Sequence, residues 1–344
     1  MRARKIKDRC LIVAEISANH SQDLKTAVKL IREAKRCGAD AVKFQAYTPD
    51  SLTIDVDNKY FKIKHPRWAG QTLYKLYKKA CAPLVWLRRL KEVSDETGIM
   101  FFATAFDKPS VDLLEDLGVP FHKIASFELV DLELISYAAK TKKPVILSTG
   151  MADLDEIGEA VDSARGSGAK GVTLLKCVSD YPAKTEEMNL RTMPELGKMF
   201  KCQVGFSDHT LGAAVSVAAV ALGAKMIEKH FILSRKAKTP DRFFSLEPGE
   251  FKRLVGDIRI AESALGEVRY GPTAGEKKCI IFRRSLFAVN DIKNGELFTT
   301  GNVRSIRPGY GLKPRYIKNI IGRRASRDIK RGTPIGWNLV KGGR

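Results

Sequence analysis

Two histidines 21 positions apart, His209 and His230, are the first residues in this chain whose type and spacing suggest chemistry. His209 follows Gly-Phe-Ser-Asp, and His230 closes Lys-Met-Ile-Glu-Lys. Residues 210–222 between them are almost wholly Ala, Val and Leu, which suits a buried crossover helix between two strands. A parallel strand–helix–strand unit brings the ends of its two strands together. The two imidazoles should therefore face one another across adjacent strand ends. Neutral imidazole is a common ligand for a divalent metal. One such histidine reads as an ordinary polar residue at a strand end. Two of them, with Ser207, Asp208 and Glu228 alongside, read as a site.

Other strand ends extend the set. Glu15 closes a first apolar run, with Asn19-His20 just beyond; Lys43 and Gln45 close a second, and Thr104 a third. Lys123, Ser126 and Glu128 flank the end of a fourth, and Ser148-Thr149-Gly150 ends a fifth. Lys176, Ser179 and Tyr181 follow a sixth. Lysine supplies a point charge, while hydroxyls and free backbone N–H groups supply donors, so this collection suits a phosphate. Lys43 and Lys123 sit inside apolar strands, where an unpartnered ammonium is costly, so each needs an anion or a carboxylate. Glu15 and Glu128 are the internal alternatives to a bound anion. Each serine alone also reads as a helix N-cap; the functional reading rests on their recurrence. A two-histidine metal with open positions would polarise a carbonyl. Beside a phosphate pocket, it suggests a phosphorylated three-carbon acid condensing with an aldehyde.

The elements that must position these groups alternate. Strand patterns are expected at 11–16, 41–45, 99–104, 122–125, 144–149, 171–177, 203–207 and 225–231. Helical patterns are expected at 23–37, 83–97, 110–117, 132–141, 154–163, 191–199 and 247–265, besides the crossover at 210–222. Eight strand-then-helix units in residues 1–265 match a (β/α)8 TIM barrel. A doubly wound open sheet is the alternative, but no GxGxxG turn follows the first strand. The connection over residues 48–82 is long, and such loops at a barrel's carboxyl face often shape a pocket. Its Leu73-Tyr74 and Leu76-Tyr77 pairs read equally as a helix docked on the barrel or as substrate contacts. Residues 266–282 read as a Gly- and Lys-rich linker, and 283–344 as a small β domain with turns at Asn294-Gly295 and Arg331-Gly332.

The charge of +21 favours anionic partners, but the Lys and Arg are dispersed, with the densest clusters at 2–7 and 323–331. A solvated surface that steers anionic substrates is expected, with no specific nucleic-acid partner. Six scattered cysteines without a CxxC pair read as reduced thiols. No apolar run reaches transmembrane length, and the basic-then-apolar start is broken by Glu15, so it reads as a first strand rather than a leader. A cytoplasmic protein with no membrane partner is expected.

Several ordered motifs carry a resemblance. AEISANH (14–20), GADAVKFQ (38–45), FFATAFD (101–107), HKIASFEL (122–129), PVILSTGM (144–151), GFSDHTLG (205–212) and IEKHF (227–231) resemble the sialic acid synthase family, the phosphoenolpyruvate-dependent nonulosonate synthases. IRPGYGL (306–312) resembles the antifreeze-like (SAF, β-clip) domain that ends these enzymes. The resemblance implies that C3 of phosphoenolpyruvate attacks the aldehyde of an open-chain N-acetylated amino sugar, water adds at C2, and phosphate leaves by C–O cleavage. It implies catalytic roles for Glu15, Lys43, Lys123, His209 and His230, with both histidines ligating a divalent metal of the Mn2+, Mg2+ or Co2+ type, Mn2+ preferred. It implies phosphate contacts from Lys123, Ser126, Ser148 and Ser207, with Lys43 near the carboxylate. It further implies substrate contacts from Gln45, Thr104, Glu128, Tyr181 and Asp241, and from Arg307 reaching across a domain-swapped homodimer. It implies Ser179 as a further phosphate contact, a departure from the pattern, since members acting on N-acetylmannosamine usually carry Asn there.

Two stretches, 68–80 and 176–183, look more like the pseudaminic acid branch, which uses a deoxy, diacetamido sugar, than like the N-acetylneuraminate branch. N-acetylneuraminate and legionaminate synthesis are the alternatives within the family. A 3-deoxy-sugar acid synthase would want a second phosphate site, for which Arg235 or Arg242 is available. A non-catalytic sugar- or nucleic-acid-binding barrel is the alternative from another class, supported by charge alone.

Overall fold

The computed structural model describes residues 9–64 and 70–343; Trp68 and the basic cluster at 2–7 lie outside the described residues. Eight parallel strands close into a barrel in chain order. They are β1 (Leu11–Glu15), β2 (Ala41–Ala46), β3 (Met100–Ala105), β4 (His122–Ile124), β5 (Val145–Ser148), β6 (Val172–Cys177), β7 (Gln203–Asp208) and β8 (Met226–His230). The helices are α1 (Leu24–Arg36), α2 (Pro49–Leu52), α3 (Leu73–Ala80), α4 (Trp86–Thr97), α5 (Lys108–Asp116), α6 (Leu132–Lys140), α7 (Leu154–Gly166), α8 (Thr192–Phe200), α9 (Ala214–Ala221) and α10 (Pro248–Leu265). The strand patterns and most helical ones locate these elements to within three residues, and the (β/α)8 architecture is present.

Local chemistry explains the boundaries. Asp23 caps α1 by accepting from the N–H groups of Lys25 and Thr26, and α1 buries Ala27, Leu30, Ile31 and Ala34. Asp153 and Glu156 form a reciprocal capping box on α7. Helix α4 starts at Trp86, after a turn in which the Trp86 N–H donates to Pro83 O at 2.9 Å. It ends at Gly98, whose φ of 64° is a left-handed cap that glycine adopts without strain.

Two differences from the sequence reading are informative. The crossover helix begins at Ala214 rather than at 210, because Asp208 accepts from the Thr210 N–H at 2.8 Å and holds the intervening residues as a loop. It is also only half buried: Ser216, Ala219 and Val220 face the barrel, while Ala214, Ala218 and Ala221 are exposed. A barrel helix is an outer layer, so an all-apolar composition does not place it in the interior.

Register sets the height of the side chains that matter. Glu15 pairs with Lys43 on one side and with His230 on the other. Gln45 pairs with Thr104, Thr104 with Lys123, Cys177 with Ser207, and Ser207 with Glu228. The carboxyl ends of all eight strands thus come to one mouth.

The chain divides into two compact units, Met1–Gly266 and Glu267–Arg344. In the second, Glu276–Phe282 form a 3-10 turn, and β9 (Ser285–Ala288) pairs antiparallel with β10 (Val303–Ile306). Leu286, Ile292, Phe298, Val303, Ile320, Ile329 and Ile335 make its own small core. This unit carries 18 Lys and Arg against 5 Asp and Glu, so most of the chain's net charge resides there. Arg304, Lys313, Arg315, Lys318, Arg324 and Arg327 among them are exposed.

Phe206 of β7 is fully buried in the barrel core. Phe206→Ala is expected to cost about 3–5 kcal/mol, read as a lower denaturant midpoint at unchanged slope. An unchanged midpoint would contradict its place in the core.

Candidate active site

The mouth of the barrel holds a cavity of about 60 Å³. Twelve of the residues singled out in the sequence line it. Glu15, Lys43, Gln45 and Thr104 come from β1–β3, and Lys123, Ser126 and Ser148 from β4 and β5 and the turn after β4. Tyr181, Ser207, His209 and His230 close the circle, joined by Glu228 and by Cys177, which the sequence reading did not single out.

Two charged clusters share this cavity. In the first, the Lys43 ammonium is 2.9 Å from Glu15 and 3.6 Å from Glu228, and donates to Thr104 Oγ1 at 2.8 Å. Gln45 donates to Glu15 at 2.9 Å and to Ser17 Oγ at 3.1 Å. Burial alone would lower Lys43, but Glu15 and Glu228 outweigh it and hold its pKa above the ordinary lysine value. Burial raises Glu15, against the pull of Lys43. The expected partnership of Lys43 with Glu15 is present, so this ammonium is balanced within the protein.

The second cluster is different. Lys123, only 1% exposed, donates to Ser148 Oγ at 2.7 Å and to the Ile124 carbonyl at 2.8 Å. Ser148 Oγ lies 3.3 Å from Ser207 Oγ, which donates onward to Glu228 at 3.3 Å. Lys123 forms no ion pair with a carboxylate among the described residues, and burial pushes it down to about 8. Glu128, the internal partner considered for it, instead keeps Oε2 buried without a hydrogen bond and is pushed up to about 7 by burial. It does not line the cavity.

Beside Lys123, the Gly150 N–H donates to Ser126 Oγ at 3.1 Å. A Cβ on Gly150 would stand 2.2 Å from Ser179 Oγ and 2.7 Å from Ser126 Oγ. Glycine is what lets two hydroxyls and a backbone N–H converge there. Ser179 is thus at the rim of the same cradle. Sequence reasoning placed Gly150 in a Ser-Thr-Gly strand end suited to a phosphate, but its close approach to residues following β4 and β6 was not visible there.

The histidines meet as expected, with ring centroids 5.4 Å apart. His209 Nδ1 is 2.8 Å from the Val178 carbonyl, which only accepts, so Nδ1 carries the proton and Nε2 keeps its lone pair. His230 Nδ1 is buried without a partner, and burial together with His209 pushes this imidazole well below its ordinary value, toward the neutral form. Tyr181 and Phe244 pack on the pair at 4.4 Å from His209 and 4.8 Å from His230. Burial alone would lower His209, but Cys177 and the Val178 carbonyl outweigh it and raise this imidazole above its ordinary value. Two imidazoles that in their neutral forms each offer a nitrogen, next to the Glu228 carboxylate, fit a divalent cation. Among the described residues no group of three His, Cys, Asp or Glu side chains completes a closed ligand set. A cation held by these two imidazoles would keep its other positions open.

Asp241 stands outside the cavity but is tied to it. It accepts from Ser17 Oγ and from the Ala18 N–H at 3.2 Å, and Ser17 in turn accepts from Gln45. Beyond it lies a larger cavity, about 530 Å³, lined by Ala18, Gln71, Leu76, Lys79, Lys238 and Arg242, among others. Helix α3 reaches this region: Tyr77 meets Tyr47 edge-on at 6.0 Å, while Leu76 lines the cavity. Docking and pocket lining are thus both present in α3. Of the two arginines considered for a second phosphate, Arg235 is engaged bidentately by Glu250 at 2.7 Å, and Arg242 stacks 4.5 Å over Phe243. Arg307 belongs to the second unit, where it is exposed just after β10.

The NeuB family profile matches residues 30–270, and the SAF domain matches residues 283–341. The pseudaminic acid synthase of Helicobacter pylori is 44% identical over 94% of this chain and 96% of its own. The N,N'-diacetyllegionaminic acid synthase of Legionella pneumophila is 37% identical over 96% of this chain and 95% of its own. Among solved structures, the N-acetylneuraminic acid (sialic acid) synthetase of Leptospira borgpetersenii, crystallised with citrate, has a TM-score of 0.70 at 34% identity, covering 79% of this chain and 90% of that one. A barrel with this mouth, these strand-end motifs and this tail belongs to the NeuB family.

Proposed function

We propose that this chain is a phosphoenolpyruvate-dependent nonulosonate synthase that joins phosphoenolpyruvate to an open-chain N-acetylated amino sugar. The product is a nine-carbon 2-keto acid, and the observation that carries the reading is Lys123. A buried ammonium bonded only to a hydroxyl and a carbonyl, in a cradle of Ser126, Ser148, Ser207 and the Gly150 N–H, suits a phosphate. The alternative of a non-catalytic barrel gives no reason to bury these groups around one cavity.

In this reading Lys123 and the serine hydroxyls hold the phosphate, and Lys43 faces the carboxylate while Glu15 balances its charge. Glu15, Gln45, Thr104 and Tyr181 orient the sugar aldehyde and the water. Asp241, steadied by Ser17, takes sugar hydroxyls at the rim, with Ser179 and Glu128 near the substrate. His209 and His230 would hold a divalent cation, preferably Mn2+, whose chemistry is to polarise the aldehyde carbonyl. One C–C bond forms between C3 and the aldehyde carbon, the water oxygen joins C2, and the C2–O bond breaks to free phosphate. Arg307 completes the sugar pocket of a partner subunit in a domain-swapped homodimer. A cytoplasmic location follows from the substrate, and no helix among the described residues is long and apolar enough to cross a membrane. We further propose the diacetamido, deoxy sugar of the pseudaminic acid branch. The greater identity to a pseudaminic acid synthase than to a legionaminic acid synthase supports it, as do the aromatic side chains of α3.

Three outcomes are expected. Gly150→Ala should fold normally, since its neighbours are rotatable hydroxyls, but should displace them and raise KM for phosphoenolpyruvate about tenfold or more; a native KM would remove the cradle from the site. The lowered value of Lys123 means that its charge is present below about 8 and lost above it. The ratio kcat/KM for phosphoenolpyruvate, which reports the free enzyme, should therefore fall through pH 8 upward, and Lys123→Arg should flatten that limb. Steady-state assays should favour diacetamido-trideoxy-altrose over N-acetylmannosamine, and a clear preference for the latter would reject the branch assignment.

A further inference from the structure

Strand alternation sends Ser207 and Glu228 to the cavity and turns their neighbours Asp208 and Lys229 the other way. Those two neighbours directly precede His209 and His230 in the chain. They are also paired in register across β7 and β8, with 2.9 Å between ammonium and carboxylate. Both side chains are fully buried outside the catalytic mouth, where the mechanism above has no use for them.

Their hydrogen bonds converge on one residue. Asp208 Oδ1 accepts from the Thr210 N–H at 2.8 Å and from Thr210 Oγ1 at 2.7 Å, bridging across His209. Lys229 donates to the Thr210 carbonyl, so Thr210 is held at its N–H, its hydroxyl and its carbonyl. Asp208 Oδ2 also accepts from Ser216 Oγ at 2.6 Å, which ties the loop to α9. The residue before His230 therefore grips both residues that flank His209. A buried ion pair is a poor device for stability alone, because an apolar pair of the same volume is often as stable or more so. What an apolar pair lacks is direction.

We propose that Asp208 and Lys229 are positioning residues that fix the backbones of His209 and His230 relative to one another, and so set the affinity of the two-imidazole site for its cation. The inference rests on the reading of that pair as a metal site. Residues that orient metal ligands from behind commonly change affinity about 10–100-fold when removed.

The test is Mn2+ titration of the full chain, followed by calorimetry and by the electron paramagnetic resonance of free Mn2+, with thermal unfolding recorded in parallel. Lys229→Met leaves Asp208 with the Thr210 and Ser216 donors but cuts the tie to the Thr210 carbonyl. Its dissociation constant for Mn2+ should rise about 10–100-fold. Thr210→Val keeps the side-chain volume and removes one bond to Asp208, so it supplies a folded variant if Lys229→Met does not fold. It should weaken Mn2+ binding at least about threefold. Variants that melt earlier yet bind Mn2+ as the unaltered chain does would make the pair purely structural and overturn the inference alone. An unaltered chain that binds no Mn2+ would overturn the metal reading and this inference with it.

Discussion

A lysine ammonium buried at the end of β4 imposes the strictest condition on this structure. Lys123 has a hydroxyl and a carbonyl around it but no carboxylate ion pair among the described residues. Burying a cation without a counter-charge is costly, and the strain shows as a lowered affinity for its proton. Lys43, two strands away along the barrel wall, escapes this cost through Glu15 and Glu228. Two lysines at similar depth thus face opposite situations, one balanced internally and one left to be balanced by a phosphate. That contrast organises the mouth: one end of the pocket is made for an anionic group, and the other end, with its imidazoles and carboxylates, for a cation and a carbonyl.

The barrel scaffold explains how such a mouth is assembled from distant segments. The contributing side chains lie in the second half of a short strand or, as with Ser126, Tyr181 and His209, in the turn just beyond it, and closure brings eight such ends together. Register does the rest. Glu15 is in register with both Lys43 and His230, so its strand stands between the lysine cluster and the histidine cluster. The loops contribute at the rim, where Asp241 is reached through Ser17 and Gln45 rather than from a strand.

Much of this was legible from residue types alone. Alternating apolar runs and helical stretches gave the eight units, and a polar residue ending an apolar run marked each functional position, as with Thr104 and Ser148. Such positions are readable because a strand end has only two environments, the cavity and the layer behind it. What escaped depends on contacts between segments far apart in sequence. Gly150 matters because hydroxyls from two other strand ends crowd it. Cys177 lines the cavity although its setting reads as ordinary core. The start of α9 was misplaced because an aspartate's hydrogen bonds outweighed the helical preference of the residues after it. Ser17 carries no local mark at all, and its role appears only when the loop after β8 delivers Asp241 to it.

The small unit's cationic surface has a colloidal consequence. Its 18 basic residues against 5 acidic ones repel any second copy of the same surface, more strongly as salt is removed. Tail-to-tail association between molecules is therefore disfavoured by simple like-charge repulsion.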